Sequence, residues 1–243
     1  MLVINATKVA TILGFSVSLG TILTLAFYLM KRFTTLILFF SLLTSICTWA
    51  QGTANTQTDS LEIQLKKIYT KREVMIPMRD GVKLYTAIYE PKDNTEKHPT
   101  LMMRTPYSCA PYGEKFDNYL KGFLRTYVDA GYIIVFQDVR GRYKSEGEFV
   151  QIRPLNKNKK GKKDKKNIDE ATDTYDTIEW LIHHTHSNER VGTWGISYDG
   201  FYATMSASCN HPALKAVSPQ APVTDWFRGD DRHHNGAFTF LQT

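Results

Sequence analysis

The chain has 243 residues, 42% hydrophobic and 12% aromatic, with a formal net charge of +6. This is ordinary for a globular fold with a real core, and long enough for one sizeable domain or part of a larger one. The charge excess is local: residues 157–166 hold seven lysines and one aspartate, so the rest sums to zero. That pattern marks a solvated basic loop and argues against a nucleic-acid partner.

The first fifty residues are a different material. Residues 9–29 form an apolar run long enough to span a bilayer. Met30-Lys31-Arg32 then precedes a second apolar run, Phe33 to Ile46, closed by Cys47-Thr48-Trp49-Ala50-Gln51. A basic start, a short apolar centre and a small-residue exit are the parts of a secretory signal, with cleavage expected before Gln51. Met30 is then the expected translation start, and the mature protein is expected to be exported, periplasmic or extracellular. The rival reading is a membrane hairpin that tethers the domain. Ile46 is too bulky for a lipoprotein site at Cys47. Of the remaining cysteines, Cys109 and Cys209 are expected to stay unpaired, since they fall far apart on the expected elements.

Residues 51–68 read as a polar linker, followed by a core over 69–224. Two runs, Lys71–Met78 and Val82–Tyr89, flank Arg79-Asp80-Gly81 and predict a hairpin. Pro99–Arg104 is a short buried strand, followed by the loop Thr105-Pro106-Tyr107-Ser108. Phe116–Ala130 has helical spacing and stops at Gly131. Tyr132–Val139 is an almost continuous apolar strand, as expected of a sheet covered on both faces. After the lysine loop, Asp169–His184 carries acids early and histidines late, which suits a helix dipole. Leu214–Pro219 is a further short strand. Alternating strands and helices after an antiparallel start predict a three-layer α/β fold with a mostly parallel sheet.

Between the last two of these lies Gly192-Thr-Trp-Gly-Ile-Ser-Tyr-Asp-Gly-Phe201, preceded by an apolar strand and followed by a helical segment. A serine at such a strand-to-helix turn is a nucleophile elbow, with Ser197 exposed on strained backbone. Gly195 and Gly200 let neighbouring chain pass close by. The helix starting there aims its N–H groups at the place where an oxyanion would form. Asp138 and Arg140 read as a structural ion pair, and His183, His184 and His186 as an exposed helix end. No motif has credible metal-ligand spacing, and no cofactor is expected.

These words in this order resemble the cocaine esterase and X-Pro dipeptidyl-peptidase family of serine hydrolases. The carriers are Arg104-Thr-Pro-Tyr107, Gln137–Arg142 with Ser145–Phe149, and Gly195-Ile-Ser-Tyr-Asp-Gly200. His211–Ala216, Gly229-Asp-Asp231 and His234–Phe238 are similar to the α-amino acid ester hydrolase and glutaryl cephalosporin acylase branch. The resemblance implies an α/β-hydrolase fold and an acyl-enzyme mechanism with Ser197 as nucleophile. The backbone N–H of Tyr198 is one oxyanion donor by position, and the resemblance makes the Tyr107 hydroxyl the other. It also aligns Asp231 with a carboxylate cluster that receives a substrate α-ammonium group. The substrate is then a small molecule or short peptide, an α-amino acyl ester or β-lactam side-chain amide, with X-Pro dipeptidyl release as the alternative. A catalytically dead binding module is a second alternative, and a homo-oligomer is compatible with either.

The triad order in this fold is nucleophile, acid, histidine, and 46 residues follow Ser197. His211 lies at the elbow helix, and His233 and His234 fall where a helical cap, residues 225–243, is expected to begin. None suits the base. The chain is therefore expected to be the N-terminal part of an α/β-hydrolase, cut inside the cap and inactive alone.

Overall fold

A computed structural model of the chain describes residues 20, 23–24, 26–37, 60–156, 168–225, 227–230 and 233–238. The expected cleavage site at Gln51, Cys47, the lysine run 157–166 and Asp231 lie outside the described residues. The chain divides into two units, Met1–Asp59 and Ser60–Thr243. In the first, helix α1 is described over 26–37 and contains Met30-Lys31-Arg32. Among the described residues, no helix is long and apolar enough to cross a membrane.

The second unit is organised by one sheet. β1 (Tyr69–Pro77) and β2 (Lys83–Pro91) form the expected antiparallel hairpin, in register from Tyr69↔Pro91 to Pro77↔Lys83. β2 pairs antiparallel with β4 (Ile133–Asp138). From there β3 (His98–Thr105), β5 (Ser187–Ile196) and β6 (Leu214–Gln220) add in parallel, in the order β1-β2-β4-β3-β5-β6. Parallel neighbours require crossover connections, and helices supply them.

β4 shows how the sequence makes layers, because all six of its residues are buried. Side chains alternate between faces along a strand. Ile133 and Val135 join a cluster with Ile178 and Leu181 of helix α5 (Glu170–His184). Ile134 and Phe136 instead join Leu65 of helix α2 (60–68) and Leu120, Leu124 and Val128. Each such side chain contributes about 1.5–3 kcal/mol when fully buried, so a polar residue on either face would be costly. The result is helix, sheet, helix.

The helix expected over Phe116–Ala130 is instead two short ones, α3 (Asn118–Lys121) and α4 (Arg125–Asp129). The Tyr119 N–H donates to the Asp117 side chain at 2.7 Å to start α3, and Gly122 ends it. Glycine is the weakest helix former after proline, and helical spacing alone does not register the break. α5 begins where expected, with a capping box between Asp169 and Thr172. Residues expected to open a helical cap form strands instead: β7 (Gly229–Asp230), β8 (His233–His234) and β9 (Ala237–Phe238) pair antiparallel. Cys109 and Cys209 are buried free thiols.

Candidate active site

β5 runs straight into Ser197, and helix α6 (Tyr198–Ser206) starts at the next residue. Ser197 has φ 59° and ψ −119°, and its side chain makes no capping bond to α6. A non-glycine residue is rarely found there and persists only where its surroundings impose it. They do so here through close packing. A Cβ on Gly195 would lie 2.2 Å from the Asp199 carbonyl oxygen, and one on Gly200 would lie 2.8 Å from that of Gln220. The Ser197 N–H donates to the Gln220 carbonyl at 2.9 Å, which ties the turn to the end of β6. The outcome is an exposed serine at a helix N-terminus, as the sequence reading expects.

Tyr198, half-buried, fixes what surrounds the serine. Its ring stacks on Tyr202, with centroids 5.5 Å apart, and its hydroxyl accepts from the Ile152 N–H at 3.1 Å. Burial pushes its phenol pKa up. Against the same ring, edge-on at 6.1 Å, stands Tyr107 from the loop after β3. Three hydrogen bonds shape that loop. The Tyr107 N–H donates to Thr105 Oγ1 at 3.1 Å, Arg142 Nε donates to the Pro106 carbonyl at 3.0 Å, and the Cys109 N–H donates to Asp138 at 2.7 Å. The structure thus brings Ser197, Tyr198 and Tyr107 together.

Two features beneath the elbow are not visible from spacing alone. One is Asp199, whose carboxyl is pushed up to about 6 by burial, with the neighbouring Thr105 hydroxyl pulling the other way. The other is a buried ionic network. Arg104 donates to Gln137 at 2.8 Å and meets Glu170 at 3.1 Å, while Arg140 meets Asp173 at 2.6 Å and Asp80 at 2.7 Å. Burial pushes the Glu170 carboxyl up despite Arg104. The expected Asp138–Arg140 pair does not form. β4 ends at Asp138 and Arg140 lies in the turn beyond it, where it meets Asp173 and Asp80, while Asp138 accepts from the Cys109 and Lys144 N–H groups and the Tyr112 hydroxyl instead. The signal for the partners of Arg104 and Arg140 was the acidic spacing of Glu170 and Asp173, which also fits a helix dipole.

His183, His184 and His211 have partners of their own. His211 is buried, bonded through Nε2 to Glu179 at 2.9 Å and through Nδ1 to the Ala213 N–H. His184 stacks flat on Trp180, and His183 meets Glu179. Among the described residues, no group of three His, Cys, Asp or Glu is placed to hold a metal ion.

Residues 80–243 match the profile of the X-Pro dipeptidyl-peptidase (S15 family). The chain belongs to that family. It is 33% identical over 159 residues to cocaine esterase of Rhodococcus sp. (strain MB1 Bresler), covering 64% of this chain and 24% of that one. Among solved structures, it is 45% identical to an α-amino acid ester hydrolase, covering 70% of this chain and 28% of that one with a TM-score of 0.60. An aminopeptidase from a marine sediment archaeon, Thaumarchaeota archaeon, gives 43% identity with the same coverage and TM-score. These likenesses establish the α/β-hydrolase fold, and the chain spans about a quarter of the length of the relatives it matches.

Proposed function

We propose that this family member is a serine hydrolase working through an acyl-enzyme on small esters or amides, with Ser197 as nucleophile. The observation that carries the reading is the exposed Ser197 at φ 59° on the N-terminus of α6, with Tyr107 against Tyr198 beside it. Ser197 Oγ attacks the carbonyl carbon while a base takes its proton. The resulting oxyanion accepts hydrogen bonds from the Tyr198 N–H and the Tyr107 hydroxyl. Collapse of the intermediate breaks the bond to the leaving group, which departs with the proton. Water then attacks the acyl-serine by the same route in reverse. No histidine among the described residues suits the base. We read it, with its acid partner, as supplied by parts of the family fold outside these residues, since the chain spans about a quarter of the length of its relatives.

The test is hydrolysis of p-nitrophenyl acetate by the whole gene product. Ser197→Ala is expected to abolish turnover without loss of fold. Tyr107→Phe is expected to lower kcat by about 10²–10³, as loss of one oxyanion donor does elsewhere. Turnover indifferent to Ser197→Ala would leave a binding module as the better reading.

The substrate we favour is an α-amino acyl ester or amide, supported by the 45% identity to an α-amino acid ester hydrolase. Asp231 would receive the ammonium group, since a desolvated carboxylate left unpaired is costly. Asp231→Asn should lower kcat/KM for α-amino acyl esters by roughly 10-fold or more and spare acetyl esters. The family match supports X-Pro dipeptidyl release as the second reading. Comparing an X-Pro p-nitroanilide with an α-amino acyl p-nitroanilide separates the two.

A further inference from the structure

Of the two oxyanion donors, the Tyr198 N–H is fixed by the elbow, whereas the Tyr107 hydroxyl arrives on a loop. That loop is bent under strain. Ser108, the next residue, sits at φ 91°, which a residue other than glycine rarely adopts unless its surroundings impose it. The bonds around the bend converge on one carboxylate. Asp138, at the end of β4, is fully buried. Its Oδ1 accepts from the Cys109 N–H at 2.7 Å, one residue past the bend, and its Oδ2 accepts from the Tyr112 hydroxyl at 3.0 Å. With its proton given to Asp138, Tyr112 can only accept from the Ser108 hydroxyl, 2.9 Å away. Ser108 Oγ in turn accepts from the Ala110 N–H at 3.1 Å. Asp138 is itself tied to the turn after β4, where Oδ2 accepts from the Lys144 N–H at 3.3 Å and its carbonyl from the Ser145 hydroxyl at 2.6 Å. Only an ionised carboxylate presents two acceptor oxygens to all these donors, since an amide of the same shape replaces one oxygen with N–H groups.

We propose that Asp138 is a positioning residue for the Tyr107 hydroxyl, an inference that rests on the serine-hydrolase reading. Its carboxylate latches the strained bend at Ser108, and the bend sets where the preceding residue stands against Tyr198. With the latch released, Ser108 relaxes toward negative φ and Tyr107 turns away from the oxyanion.

The experiment is a double-mutant cycle on the whole gene product with p-nitrophenyl acetate. Asp138→Asn is expected to lower kcat by roughly 10- to 10²-fold with KM within about two-fold. In a Tyr107→Phe background the same substitution should change kcat by less than about two-fold, because the donor it positions is gone. Tyr112→Phe, at a half-buried site, removes one bond of the latch and is expected to lower kcat by roughly 3- to 10-fold, again only while the Tyr107 hydroxyl is present. This milder variant decides the matter if Asp138→Asn does not fold. An unchanged kcat in the parent, or equal factors in both backgrounds, with turnover still dependent on Ser197, would overturn the positioning role alone. Turnover that survives Ser197→Ala would remove the hydrolase reading and the role of Asp138 with it.

Discussion

Asp199 keeps its proton to about pH 6 in the folded chain because burial disfavours the charge. Its unfolded counterpart ionises near the ordinary aspartate value of about 4. A raised carboxyl pKa costs the folded state stability as pH rises from about 4 to 6, and the cost persists above. Asp199→Asn cannot ionise, so it is expected to stabilise the fold at pH 8 by on the order of 2 kcal/mol and to be close to neutral at pH 4. Thermal unfolding at the two pH values checks this, and an equal shift at both would point to packing instead. The residue also shows how far the sequence could be read. Ser197, Tyr198 and Tyr107 were legible because a motif names them and the turn around them is local. Asp199 stood in the same motif, but its burial and its neighbour Thr105 come from chain 94 positions away in sequence, which no local pattern reports. Asp138 and Arg140 failed for the same reason: close in sequence, they face different partners.

Strands and helices were legible where one period ran unbroken. β4 is apolar through both faces, and α5 carries a full capping box, so their placement followed from composition alone. The break at Gly122 and the strands at 229–238 were not, since short elements are decided by tertiary contacts rather than propensity. At the junction of β5 and α6 the fit is closest. Gly195→Ala places a methyl 2.2 Å from backbone that cannot swing aside. It is expected to cost about 3 kcal/mol or more, or to unfold the elbow, as overpacking does where no flexible group can yield. A melting temperature within a degree or two of the parent would mean that β5 and α6 can part without harm.

Seen as a whole, the second unit is a sheet guarded unequally. β2, β4, β3 and β5 each have neighbours on both sides, and the inner strands are sealed by helical layers. β6 has β5 on one side, and five of its seven residues from Leu214 to Gln220 are exposed and the other two half-buried, so it has no buried face. Among the described residues nothing pairs with its outer edge. Such an edge offers a row of free N–H and C=O groups to any extended strand that meets it. The 243-residue chain expressed alone is therefore expected to self-associate with rising concentration, read as mass growth in light scattering. Val217→Lys, which puts a charge on that strand, should suppress the growth. Among the described residues the sheet thus ends on an adhesive margin at β6, open to whichever extended segment reaches it first.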